Sequence, residues 1–128
     1  MVDTYALTFE QRTRYLFVRV DAAFTTRNTA PPFLREIVET CLRAGEKRLL
    51  IERHITGPIS TGLILLQTAF LDGIATGLEI AMVDADSSNL EFLEEGIRLA
   101  NVKDPKVMSF KSKSAAELWL TRSFRAKG

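Results

Sequence analysis

Residues 48–72 constrain the fold of this chain more than any other stretch. They open with Arg48-Leu49-Leu50-Ile51-Glu52-Arg53, a short apolar run between charges. That is the pattern of a strand buried on both faces. A turn-like segment follows, His54-Ile55-Thr56-Gly57-Pro58-Ile59. The remainder, 60–72, carries Leu63, Ile64, Leu65, Leu66, Ala69, Phe70 and Leu71. It is too long and too apolar for a strand and reads as a helix lodged deep against a sheet. The turn between strand and helix lies at the carboxyl end of the strand, where open α/β sheets usually place their working residues.

The rest of the chain arranges itself around that unit. Tyr5-Ala6-Leu7-Thr8-Phe9 alternates as an edge strand would. Tyr15-Leu16-Phe17-Val18-Arg19-Val20, rich in aromatic and β-branched residues, is a stronger strand, and a hairpin is the simplest connection between the two. Pro31 and Pro32 fit the opening of a helix. Its apolar side is Phe33, Leu34, Ile37, Val38, Cys41 and Leu42, and Gly45 supplies its left-handed stop.

Further strands are expected at 78–83 and 106–110. Ser88 and Glu91 have capping-box spacing before a helix whose buried stripe is Leu90, Leu93, Ile97 and Ala100. Ser114 and Glu117 repeat that spacing before a closing helix anchored by Ala115, Leu118, Trp119 and Phe124. The order is β-β-α-β-α-β-α-β-α. It implies right-handed crossovers and a mostly parallel mixed sheet of four to five strands with four helices. One domain is expected over residues 1–128, with its core at 15–120 and a basic tail at 121–128.

Composition narrows the function classes. There are 17 basic and 16 acidic residues, a formal net charge of +1, which disfavours a nucleic-acid binder. One cysteine excludes an internal disulfide and fits a reducing compartment. Met1-Val2-Asp3-Thr4-Tyr5 lacks the basic start and apolar run of a secretory leader. No apolar stretch is long enough to span a bilayer. The expectation is a cytoplasmic protein.

Specific chemistry has little local support. One His and one Cys, with no spaced carboxylates, leave no metal site to expect. Asp84 and Asp86 read as turn formers, or as anions near a helix start. Gly57, Gly62, Gly73 and Gly77 match neither a Walker loop nor a dinucleotide fingerprint, so no cofactor is expected. Arg53, His54, Ser60 and Thr61 would surround the amino end of the apolar helix, an anion-friendly place. Thr56 or Ser60 would equally serve there as a plain helix cap. Catalysis by His54 with Glu52 or Asp84 is a further alternative.

Three stretches together resemble the STAS superfamily, in its SpoIIAA-like, anti-sigma-factor-antagonist branch. They are Leu49-Leu50-Ile51-Glu52 through Ile59-Ser60-Thr61-Gly62-Leu63; Leu78-Glu79-Ile80-Ala81-Met82-Val83; and Val107-Met108-Ser109-Phe110 followed by Ser114-Ala115-Ala116-Glu117-Leu118-Trp119-Leu120. The resemblance covers residues 15–120 and implies a non-enzymatic regulatory domain. Such a domain binds a partner protein, of the anti-sigma-factor or serine-kinase type, through the 54–62 turn and helix start.

In that family a serine of an Asp-Ser-Ser-Gly motif is phosphorylated, and the added charge breaks the complex. The matching run here is Ile59-Ser60-Thr61-Gly62, which keeps the hydroxyls and the glycine but not the aspartate. Ser60 is the position the resemblance carries over, with Thr61 second. Arg53, His54, Thr56, Gly57, Ser60, Thr61, Gly62, Asp84 and Asp86 are the expected interface or anion-binding residues. The branch is also similar to lipid-binding CRAL-TRIO proteins, which makes a small-molecule or lipid carrier the alternative, with a pocket beneath residues 63–74.

Overall fold

A computed structural model of the chain describes residues 5–22, 30–55, 77–85, 90–100 and 106–126. Five strands form one mixed sheet in the order β1-β2-β3-β4-β5: β1 Tyr5–Arg12, β2 Tyr15–Ala22, β3 Arg48–Ile55, β4 Glu79–Asp84 and β5 Lys106–Phe110. Three helices are described: α1 Ala30–Arg43, α2 Leu90–Ala100 and α3 Lys113–Ala126. The β1–β2 pair is the antiparallel hairpin that its alternation predicts, and β2 to β5 run parallel.

The expected layout needs correction. Four helices in the order β-β-α-β-α-β-α-β-α were anticipated; the described residues carry three, in the order β-β-α-β-β-α-β-α. The fourth rested on the apolarity of residues 63–74, which lie outside the described residues. Apolarity on all sides carries no period, so it cannot by itself specify a helix.

Strand alternation divides the core between two faces. On one, Leu16, Val18 and Val20 of β2 align with Leu49 and Ile51 of β3, Ile80 and Met82 of β4, and Val107 of β5. Phe33, Leu34, Ile37, Val38 and Cys41 of α1 cover them, with Ile97 of α2 packed alongside. On the other, Tyr15, Phe17, Leu50, Ala81 and Val83 meet Ala116 and Leu120 of α3. All three parallel connections, β2 to β3, β3 to β4 and β4 to β5, step the same way along the sheet. Right-handed crossovers stepping one way place their helices on one face, which is where α1 and α2 lie. The closing helix follows the last strand and is free of that constraint. Each fully buried Leu or Ile here contributes about 1.5–3 kcal/mol.

One helix end is as expected and another differs. α1 stops in a Schellman arrangement, with Glu46 N–H donating to Cys41 O at 3.1 Å and Gly45 N–H to Leu42 O at 3.0 Å. Gly45 takes the left-handed conformation this needs, φ +75°. α3 is capped by Ser112, whose Oγ accepts from Ala115 N–H at 3.2 Å, and not by the anticipated Ser114–Glu117 box. The helix therefore starts earlier. Ala116 and Leu120 turn inward, and Leu118, anticipated as an anchor, is 55% exposed. Leu42 of α1 is likewise exposed and outside the apolar stripe. Among the described residues no helix is long and apolar enough to cross a membrane.

Candidate functional site at the strand ends

Three of the anticipated site residues, Arg53, His54 and Asp84, stand at the carboxyl ends of the neighbouring strands β3 and β4. Thr56, Gly57, Ser60, Thr61, Gly62 and Asp86 lie outside the described residues, as does the pocket expected beneath 63–74. The structure separates the three that are described. Arg53 and Asp84 are register partners on the α1 face, with Arg53 Nε 3.4 Å from Asp84 Oδ2 and side chains only 4% and 3% exposed. Burial lowers the Arg53 pKa and the charge of Asp84 opposes that shift. A guanidinium stays protonated regardless, so Arg53 keeps its charge beside the Asp84 carboxyl. Ala85 N–H donates to Arg53 O at 2.8 Å and ties the exit of β4 to β3.

His54 points to the opposite face, as the next residue of a strand must. Its Nε2 lies 3.0 Å from Glu52 Oε1, and Lys113 Nζ of α3 lies 3.7 Å from Glu52 Oε2. Asp21, the register partner of His54, holds Arg19 in a two-point contact of 2.9 and 3.0 Å. The hydrogen bond from Arg19 keeps the Asp21 carboxyl below its ordinary range, against a small opposing effect of burial. Lys113 lies over the Phe17 ring, 5.0 Å from its centroid. The outcome is a row of polar and charged groups, Arg19, Asp21, Glu52, His54 and Lys113, beside an aromatic ring. A His54–Glu52 pair is assembled; a His54–Asp84 pair is not, because the two side chains leave the sheet on opposite faces. Among the described residues no group of three or more His, Cys, Asp or Glu is placed to hold a metal ion.

A second polar assembly escapes sequence reasoning. The Tyr15 hydroxyl donates to Glu117 Oε2 across 102 positions of chain. Burial first, and then the bond and charge of Glu117, push the Tyr15 pKa well above its usual value. Beside this pair an open cleft of about 840 Å³ separates the β1–β2 hairpin from α3. The signal in the sequence is slight: a tyrosine, with its polar tip, opens the apolar run Leu16-Phe17-Val18.

No protein-family model matches the chain, and no curated protein matches its sequence.

Proposed function

We propose that this chain is a non-enzymatic, intracellular regulatory domain that binds a partner protein, in the manner of anti-sigma-factor antagonists. The interface would be the surface at the carboxyl ends of β3 and β4, extended by residues 54–62. What chiefly supports the reading is the Arg53–Asp84 pair, which with the Ala85–Arg53 bond holds both strand exits in register. A buried ion pair is weak evidence for stability; here its role would be to set the register of the two strand exits, which a recognition surface requires. The polar and charged groups around Glu52 and His54 suit the same role. Complementary charge across an interface sets partner choice and encounter rate more than raw affinity. A phosphate on Ser60 or Thr61 would add about −1.5 to −2 charge and weaken the partner's hold by repulsion and desolvation.

The test begins with a photo-crosslinking residue at position 21 or, as a control at the far end of the sheet, at position 121. The partner captured in the native host is then purified and titrated calorimetrically. Crosslinks from position 21 and not 121 are expected. Glu52→Gln and Ser60→Asp are each expected to weaken binding about tenfold, with the melting temperature unchanged. Equal crosslinking at both ends, or affinities within about twofold of wild type for both variants, would end this reading.

A further inference from the structure

The geometry points to a second interaction surface, the outer edge of β1, whose occupant is a second copy of this chain paired antiparallel about Thr8. It does not use the ends of β3 and β4 and so goes beyond the function proposed above.

Among the described residues β1 and β5 are the two edges of the sheet. The two-residue turn between Arg12 and Tyr15 makes those residues a hydrogen-bonded pair, and alternation along the hairpin then commits Ala6, Thr8, Glu10 and Arg12 to β2. The N–H and C=O groups of Tyr5, Leu7, Phe9 and Gln11 point the other way, out of the sheet. Natural edges are blunted by short strands, prolines, bulges or lysines. β5 is such an edge, five residues opening on Lys106. β1 is not. It runs for eight residues without proline or glycine, pairs with β2 without a bulge, and carries charge only at Glu10 and Arg12.

The residue order selects the occupant. Run antiparallel to itself with a two-fold axis at Thr8, β1 sets Leu7 opposite Phe9 twice, Thr8 opposite Thr8, Tyr5 opposite Gln11 and Ala6 opposite Glu10. Leu7 and Phe9 are half-buried at the rim of the α1-side core, so the pairing joins the two cores across the seam. Neither charge of the strand meets a like charge, and the backbone groups used are the outward ones.

Helix α1 repeats the fit in charge. It runs beside β1, with Glu36 accepting the Tyr5 hydroxyl at 3.2 Å and, beyond its other end, Glu46 accepting from Gln11 Nε2 at 2.6 Å. Glu36, Thr40 and Arg43 form a row along this flank: Thr40 Oγ1 donates to Glu36 O at 2.8 Å, and Arg43 Nη2 donates to Thr40 Oγ1 at 3.2 Å. The two-fold axis reverses the row in the second copy. It thereby turns the basic end, Arg43, towards the acidic end, Glu36, on both sides of the axis. The two sheets become one, and the contact closes on itself as a dimer.

Sedimentation equilibrium of the full chain, from micromolar to millimolar concentration, tests this. Wild type should associate reversibly to the mass of two chains and no further. Thr8 is exposed in the single chain, so replacing it leaves the core untouched, and the far-UV circular dichroism of each variant should match wild type. Thr8→Asp and Thr8→Lys each set like charges face to face at the axis and should weaken association at least about tenfold. An equimolar mixture of the two variants should associate at least as tightly as wild type. The Thr8 pair is of the non-hydrogen-bonded kind, with Cα atoms about 4.5 Å apart, so Thr8→Cys should oxidise to a linked dimer. Ala6→Cys should not, because its counterpart lies four residues away along the seam. The assignment is overturned by a single-chain mass at millimolar concentration or by charge variants that both stay within about twofold of wild type. A mixture no tighter than either variant alone, or equal linking through positions 6 and 8, overturns it as well.

Discussion

Arg53 and Asp84 face each other across the two parallel strands β3 and β4, 3.4 Å apart and almost wholly out of water. Removing one partner takes away the opposite charge that stands 3.4 Å from the other in a buried setting. Asp84→Ala is therefore expected to destabilise the fold by about 3–5 kcal/mol, measured by urea denaturation. The double variant Arg53→Met/Asp84→Leu should recover most of that loss, because apolar groups of similar size need no counter-ion. A double variant as unstable as Asp84→Ala would show that the pair is held for more than charge balance.

Tyr15 gives a stability change with a defined sign in pH. Its folded-state pKa is raised above the ordinary phenol value by burial and by Glu117. The folded state thus holds the proton more tightly than the unfolded chain. The resulting stability is fully present below pH about 10 and is lost as pH climbs through the raised value. Tyr5, the chain's other tyrosine, is shifted the same way by burial and Glu36. Absorbance at the phenolate band should therefore stay low past the usual tyrosine midpoint in native protein and rise normally in denaturant. Tyr15→Phe should flatten part of the alkaline loss of stability. A native titration that coincides with the denatured one would refute this.

Much of the sheet is legible in the sequence for a physical reason. Runs such as Leu16-Phe17-Val18 and Leu49-Leu50-Ile51 are apolar on both faces because both faces of these strands are covered. The end of β1 is less so. Gln11 and Arg12 look like part of a polar connection, yet an edge strand tolerates polar residues, and the pairing runs on to Arg12↔Tyr15. The site is only partly legible. Its place at the ends of β3 and β4 follows from the order of elements. Arg53 reads as the end of the strand and His54 as the start of the turn, both around one helix start, whereas β3 runs on to Ile55 and its two-residue period sends them to opposite faces. The Tyr15–Glu117 contact has no local signature at all, since only the closing helix brings the two together.

Cys41 is expected to be inert in the folded protein. It is fully buried in the α1 face of the core, and burial, with a smaller effect from Glu46, pushes its pKa up to about 11. Only the thiolate reacts with disulfide reagents. Colour development with an aromatic disulfide at pH about 8 should proceed no faster than global unfolding and become immediate in denaturant. Fast labelling of native protein would mean that the α1 face opens locally well before the whole domain does.

Gly45 isolates a backbone effect from a packing one. It ends α1 at φ +75°, and a Cβ built at this position meets nothing within 4 Å. Gly45→Ala therefore creates no clash, and its cost is that of forcing an alanine into the left-handed conformation, roughly 1 kcal/mol. Asparagine tolerates that conformation better, so Gly45→Asn should lose less. The two Schellman hydrogen bonds, to Leu42 O and Cys41 O, depend on the same backbone geometry. Amide exchange at Gly45 and Glu46 should accordingly speed up in Gly45→Ala more than exchange in β3, which is anchored by its neighbours on both sides. Equal stability of the alanine and wild-type proteins in urea would show that the helix ends by another route.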